Sequence, residues 1–309
     1  MSDTRVLPAE LRNAWLLQAR SHPLIAGGLL AAGLAVAALL LTGVVNAFSG
    51  TAPLNLARAL LGGTAGFVAT GGGALLAVAL GRMTIRSHDC MLGFTAGMML
   101  AASSFSLILP GLAAGREILG NSPGAALVVA FGLGLGVLLM LGLDYFTPHA
   151  HETSGACGPG AERLSRVWLF VLAITLHNLP EGMAIGVGFS GGDLGVALPL
   201  TSAIVIQDIP EGLAVALALR GTGQAAPLAV LTAAASGLME PFGALVGVGL
   251  SSGFALAYPV GLGLAAGAMV FVVSHEVIPE THRNGHQTPA TLGLMGGFAV
   301  MMFLDNAFG

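Results

Sequence analysis

Long apolar runs dominate this chain, and they limit its fold more than any other feature. A bilayer span needs about 20 mostly apolar residues. Nine segments reach that length, at roughly 24–46, 54–81, 90–115, 123–147, 167–188, 194–219, 227–250, 256–279 and 289–308. In lipid, backbone N–H and C=O groups must be satisfied internally, and separate runs of this length do so as helices. The expectation is an all-α polytopic membrane protein. Composition agrees, since 55% of the residues are hydrophobic and only 8% are charged, against about a quarter charged in a soluble domain.

Three stretches follow from this division. Residues 1–23 form a leader in which Leu11, Trp15 and Leu16 oppose Arg12 and Arg20, a pattern expected to lie along the cytoplasmic surface as an interfacial helix. Residues 24–46 are read as an extra N-terminal transmembrane helix, because the leader is too long for the charged region of a signal peptide. Residues 54–309 carry the remaining eight spans, with a cytoplasmic loop at 148–166. The orientation comes from the arginines. With a cytoplasmic N-terminus and nine crossings, Arg5, Arg12, Arg20, Arg82, Arg86, Arg163, Arg166, Arg220 and Arg283 lie inside, and Arg58 and Arg116 outside.

Other features narrow the possibilities. There is no lysine, the net charge is −4 and no basic cluster exists, so no nucleic-acid partner is expected. Cys90 and Cys157 lack the spacing of a thiolate zinc site and read as unpaired thiols. The glycine-rich stretches "GGTAGFVATGGG" at 62–73 and "FGLGLG" at 131–136 lack the context of a phosphate loop. They are read as surfaces for close helix packing.

Ionisable side chains at a helix centre in lipid cost at least ~2.5–3.5 kcal/mol each, and they mark function by default. Here they are concentrated in two related stretches, "LHNLPEGMAIGV" at 176–187 and "IQDIPEGLAVAL" at 206–217. His177, Asn178 and Glu181 share one helical face by their three- and four-residue spacing, and Gln207, Asp208 and Glu211 repeat that geometry on the next segment. A short loop makes the two helices antiparallel neighbours. Glu240 lies near the middle of the third successive crossing, so seven oxygen and nitrogen donors can converge. Pro180 and Pro210 have no N–H for the carbonyls of Leu176 and Ile206, so each helix is expected to kink. Paired interruptions at mid-depth, in neighbouring segments of opposite direction, are expected of a transporter site built on an inverted repeat.

Charge identifies the ligand class. Ionised Glu181, Asp208, Glu211 and Glu240 sum to −4, with no lysine or arginine in the same spans; two divalent cations would neutralise them, as would one cation with two protons. Imidazole, amide and carboxylate donors suit Zn2+, with Fe2+, Mn2+, Co2+ and Cd2+ as competitors. Seven donors exceed one tetrahedral ion, so two adjacent metal positions bridged by Glu181 and Glu211 are expected. One would use His177, Glu181, Gln207 and Glu211; the other would use Asn178, Glu181, Asp208, Glu211 and Glu240. A path would enter near Ser106, Leu200, Ile204 and Asp305. Leu200, Ile204 and Met99 are apolar enough to gate it, although Met98 and Met99 also suit core filling. Asp144, His275 and Glu276 lie near cytoplasmic helix ends and suit an exit, with Asp89 as a further candidate. His149 and His151, in the loop, could collect released metal.

On these two motifs the chain resembles the ZIP (Zrt/Irt-like) family of divalent metal transporters, and its bacterial members in particular. The resemblance covers the eight spans from residue 54 onward. It implies zinc uptake toward the cytoplasm, a binuclear centre on the seven residues named, a homodimer, and location in a bacterial inner membrane. It also implies that the motif-bearing helices and the span at 54–81 move as a unit against the other four. Two departures stand out: Gln207 and Ser106 occupy places where relatives often carry histidine. The span at 24–46 is extra to the usual eight.

A secondary transporter working by alternating access is therefore the leading expectation, with a metal-selective channel as its variant. The rival is a membrane metalloenzyme. Di-iron bundles use Glu-x-x-His and zinc proteases use His-Glu-x-x-His, and neither occurs, since His275-Glu276 is followed by Val277, Ile278 and Pro279. No enzymatic activity is expected.

Overall fold

The structure, a computed structural model, describes residues 8–46, 52–80, 83–147, 149–151, 155–157, 166–221 and 223–308. It is helical almost throughout. α1 (Pro8–Ser21) and α2 (Pro23–Asn46) are followed by α3 (Ala52–Leu80), α4 (Ile85–Ala101), a π-helical segment (Ala102–Ile108), α5 (Leu109–Leu119) and α6 (Ser122–Phe146). After a small hairpin come α7 (Arg166–Ser190), α8 (Leu194–Gly221), α9 (Ala226–Ser236) and α10 (Met239–Ser251). α11 (Ala257–Val272), a second π segment (Val273–Val277), α12 (Ile278–His282) and α13 (Gln287–Phe308) complete the chain. The hairpin pairs β1 (His149–His151) antiparallel with β2 (Gly155–Cys157), a small exception to the all-helical expectation.

Eight helical runs among the described residues are long and apolar enough to cross a membrane, the first being Pro23–Gly43. The other expected span, α7, is a 25-residue helix, several of whose side chains lie outside the described residues. Packing explains why α7 must cross as well. Gly132 and Gly136 of α6 lie against the backbone at Val260 and Leu264 of α11, so the contacts advance in the same direction and the pair is parallel. A parallel pair needs an odd number of crossings between its members. α7, α8 and the α9–α10 run supply three.

Close glycine contacts of this kind define four pairs. Gly93 and Gly97 of α4 meet Ala290 and Leu294 of α13, and Gly182 and Gly186 of α7 meet Glu240 and Ala244 of α10. Gly212 of α8 meets Thr70 of α3, and Gly73 of α3 meets Ile209 of α8. A Cβ at any of these positions would run into backbone, and without hydrophobic driving force in lipid such backbone approach is a main source of helix association. The stretch at 62–73 thus packs as expected, and the pairs form two groups: α3 with α7–α10, and α4–α6 with α11–α13.

Three expectations change in detail. α7 and α8 continue as α-helix through Pro180 and Pro210 rather than being interrupted there. The interruptions fall elsewhere. Each π segment closes just before a proline, Pro110 or Pro279, whose ring cannot accommodate the carbonyl four residues earlier. Those carbonyls belong to Ser106 and His275. The crossing expected at 227–250 as one helix is also divided, with a turn at Gly237–Leu238 just before α10, whose second residue is Glu240.

The N-terminal segments attach at one side. The Trp15 ring of α1 lies 5.4 Å from that of Phe146, and Gln18 donates to the Tyr145 carbonyl at 3.3 Å. Leu16 and Leu17 stay exposed; the side chains of Leu11 and Arg12 lie outside the described residues. α2 packs on α6 and α10 and leaves Leu24, Leu30, Leu34 and Leu41 exposed.

Candidate metal centre

The motif residues occupy the interior of the first helix group. α7 carries His177, Asn178 and Glu181, α8 carries Gln207, Asp208 and Glu211, and α10 brings Glu240 in its first turn. The glycine after each motif glutamate explains the approach. Gly182 lets α10 close on α7 at Glu240, and Gly212 lets α3 close on α8 at Thr70. Asn178, Glu181, Gln207, Asp208, Glu211 and Glu240 are all buried, and the His177 side chain is 11% exposed.

Carboxylate oxygens of Glu181, Asp208 and Glu211 lie within 4.8 Å of one another. Gln207 Nε2 donates to Glu181 Oε1 at 2.5 Å, and Thr70 Oγ1 donates to Glu240 Oε1 at 2.8 Å. Seven further donor atoms of the site have no partner. Glu181 Oε2, Gln207 Oε1, Asp208 Oδ2, Glu211 Oε2, Glu240 Oε2 and both amide atoms of Asn178 are buried with no hydrogen-bond partner among the described residues. Buried polar atoms in native structures are almost always paired, and a buried charge without a partner is costlier still. Such a concentration of orphaned oxygens in one place is what a cation site requires.

Two residues that the motif reading did not single out shape this centre. Thr70 holds one oxygen of Glu240. Gly66, on the same face of α3, leaves the space that the Glu240 and Asp208 carboxylates fill. Gly66 stands inside the glycine-rich stretch read only as packing surface, and its i+4 relation to Thr70 was the available signal.

The other pathway residues fall into three sets. On the side of Ser106, Ser106 Oγ donates to Asp305 Oδ1 at 2.5 Å. Met99, Leu200 and Ile204 are fully buried in one apolar cluster with Met98. On the other side, the π segment 273–277 presents Glu276, 3.7 Å from Nδ1 of His177, and His275, 3.4 Å from Asp144. Asp89 has different partners. It accepts from Asn284 Nδ2 at 3.0 Å and pairs with His286 Nδ1 at 2.7 Å at the α12–α13 turn. His149 and His151 lie in β1, and their side chains are outside the described residues.

Comparison with known proteins gives a consistent result. The family model described as "ZIP Zinc transporter" matches residues 146–305. The protein called "Zinc transporter ZIPB" of Bordetella bronchiseptica is 67% identical over the whole of both chains. "Zinc transporter GufA" of Myxococcus xanthus is 41% identical, with 82% of this chain covering 99% of it. "Zinc transporter ZIP11" of Homo sapiens is 31% identical, with 82% of this chain covering 97% of it.

Proposed function

Because the chain belongs to the ZIP zinc transporter family, we propose that it carries Zn2+ across a membrane into the cytoplasm, with Cd2+, Fe2+ and Mn2+ as related substrates. The ion would be held by His177, Asn178, Glu181, Gln207, Asp208, Glu211 and Glu240, in two adjacent positions that share Glu181 and Glu211. The observation that carries this is the set of orphaned buried oxygens on α7, α8 and α10. No lysine or arginine stands near these carboxylates along the chain, Arg166 and Arg220 lying at the ends of their helices, so a cation is the natural counter-charge. The donor set of carboxylate, amide and imidazole suits zinc and its neighbours.

Transport by alternating access fits the division into two helix groups. In this scheme α3 and α7–α10 carry the ions past α4–α6 and α11–α13, and the protein works as a homodimer in a bacterial inner membrane with its N-terminus in the cytoplasm. Met99, Leu200 and Ile204 seal one side. Ser106 and Asp305 receive the ion there, and Asp144, His275 and Glu276 release it on the other, with Asp89, His149 and His151 as later acceptors. The protein is a transporter in this reading and catalyses no covalent step.

Uptake into vesicles tests the proposal. Purified protein should take up Zn2+ saturably and at low turnover, whereas a channel would conduct without saturating in the same range. Glu181→Ala and Glu211→Ala should each abolish uptake while the protein keeps its size-exclusion profile. Wild-type flux from either variant would remove the shared-ligand role.

A further inference from the structure

The second helix group holds a cleft unrelated to the metal centre. It lies where α4 and α13 begin, is open to the surface, and has a volume of about 680 Å³, within the roughly 300–1,000 Å³ typical of small-molecule sites. α4 and α13 are parallel, because Gly93 meets Ala290 and Gly97 meets Leu294. Their first turns therefore sit side by side at one membrane face. By the arginine distribution that face is cytoplasmic.

The lining changes character along the two helices. At the mouth stand Arg86 and Ser87 of α4 and Thr288 of α13; one to two turns further along lie Met91 and Phe94 of α4 and Leu292 of α13. Arg86 is exposed and makes no ion pair or hydrogen bond among the described residues. Among the described residues, no carboxylate lines the cleft. The nearest acid in sequence, Asp89, is buried and already bonded by Asn284 and His286. The Ser87 and Thr84 hydroxyls share one hydrogen bond at 2.8 Å, which leaves one of their two protons to donate outward.

A guanidinium without a partner among the described residues, beside hydroxyl donors at an interface and continuous with an apolar groove between two membrane helices, matches a molecule with a phosphate at one end and hydrocarbon at the other. Basic pockets between helices on the cytoplasmic side recognise anionic head groups in this way. We propose that the cleft seats one anionic phospholipid, its phosphate on Arg86, Ser87 and Thr288 and an acyl chain along Met91, Phe94 and Leu292. The apolar half argues against free phosphate, and the exposed arginine against a neutral lipid. The glycine-locked α4–α13 pair below the cleft keeps its walls together, so the lipid would anchor the group that does not carry the metal ligands.

Cys90 also lines the cleft and is half-buried, which makes it a local reporter. In a Cys157→Ser background it is the only thiol. Its maleimide labelling rate would be measured in nanodiscs of phosphatidylcholine, with and without phosphatidylglycerol. Phosphatidylglycerol should slow labelling about fivefold, the effect of one arginine near an anionic surface. Arg86→Gln should abolish the difference, and inorganic phosphate added to phosphatidylcholine discs should not protect. An equal slowing in Arg86→Gln would reduce the effect to general surface charge and overturn the proposal, as would no slowing at all. Protection by phosphate alone would make the ligand a free anion. Protection that follows the number of protein copies per disc would make the cleft a contact between copies. Either result would also reject it.

Discussion

Thr70 on α3 donates its hydroxyl to Oε1 of Glu240 on α10 at 2.8 Å, and both side chains are buried. The same hydroxyl is 3.2 Å from the Gly66 carbonyl, so its single proton goes to the nearer and more strongly accepting carboxylate. Among the described residues, Oε2 of Glu240 receives no hydrogen bond from a hydroxyl, amide or backbone N–H. Thr70 therefore sets which oxygen of Glu240 is available to an ion. Hydrogen bonds to charged groups contribute about 1.5–3 kcal/mol. Thr70→Val, which keeps the shape and removes the donor, should weaken metal binding by roughly tenfold or more, and Thr70→Ser should restore it. Titration calorimetry of both variants with Zn2+ would check this.

Space matters as much as hydrogen bonding in the same helix. A Cβ at Gly66 would overlap the Glu240 carboxylate and approach Asp208 Oδ2 at 2.9 Å. Gly66→Ala should abolish Zn2+ uptake by displacing the Glu240 and Asp208 carboxylates. Gly72→Ala is the control, since nothing lies within 4 Å of a Cβ there. It should transport normally and could gain slight stability from better helix propensity.

Proton competition gives a pH dependence of definite sign. Carboxylates and imidazole bind metal only when deprotonated, so metal binding releases protons. Lowering the pH from about 7.5 to 5 passes the ordinary imidazole range near 6.5 and approaches the carboxylate range. Zn2+ affinity should fall steadily across that interval. Affinity that stays flat would argue against Glu181, Asp208, Glu211, Glu240 and His177 as ligands.

Gln207 offers a handle on metal preference. Its Nε2 holds Glu181 Oε1 at 2.5 Å while its Oε1 is buried without a partner. An imidazole at this place can keep one N–H donor and supply a softer nitrogen ligand. Gln207→His should raise discrimination for Zn2+ and Cd2+ over Mn2+ several-fold, measured by competitive uptake in vesicles.

Much of the centre was legible along the chain. His177, Asn178 and Glu181 lie on one face by spacing alone, as do Gln207, Asp208 and Glu211, and acids in an apolar run are too costly to be incidental. The prolines were less informative. Pro110, Pro180, Pro210 and Pro279 each conflict with a carbonyl four residues earlier. At 110 and 279 the helix widens into a π segment, and at 180 and 210 it continues as α-helix. Nothing within the local sequence distinguishes these outcomes, because the packing of neighbouring helices decides whether a widened turn is accommodated. Asp89 illustrates a second gap. Its place near a cytoplasmic helix end put it among the exit candidates, yet its partners Asn284 and His286 are some 195 residues away in the chain.

The amino-acid sequence by itself determined the number of long apolar segments, their alternation across a membrane and the two helical faces that carry acid. These are local properties, set by span length, 3.6-residue periodicity and the cost of charge in hydrocarbon. Only the tertiary structure decided which helices interlock, that Thr70 and Gly66 on α3 complete a centre begun on α7, α8 and α10, and where an arginine is left facing an apolar groove. Those depend on backbone contact between segments far apart in the chain. Glycine permits such contact at many positions, but the contact is realised only where two complementary surfaces meet.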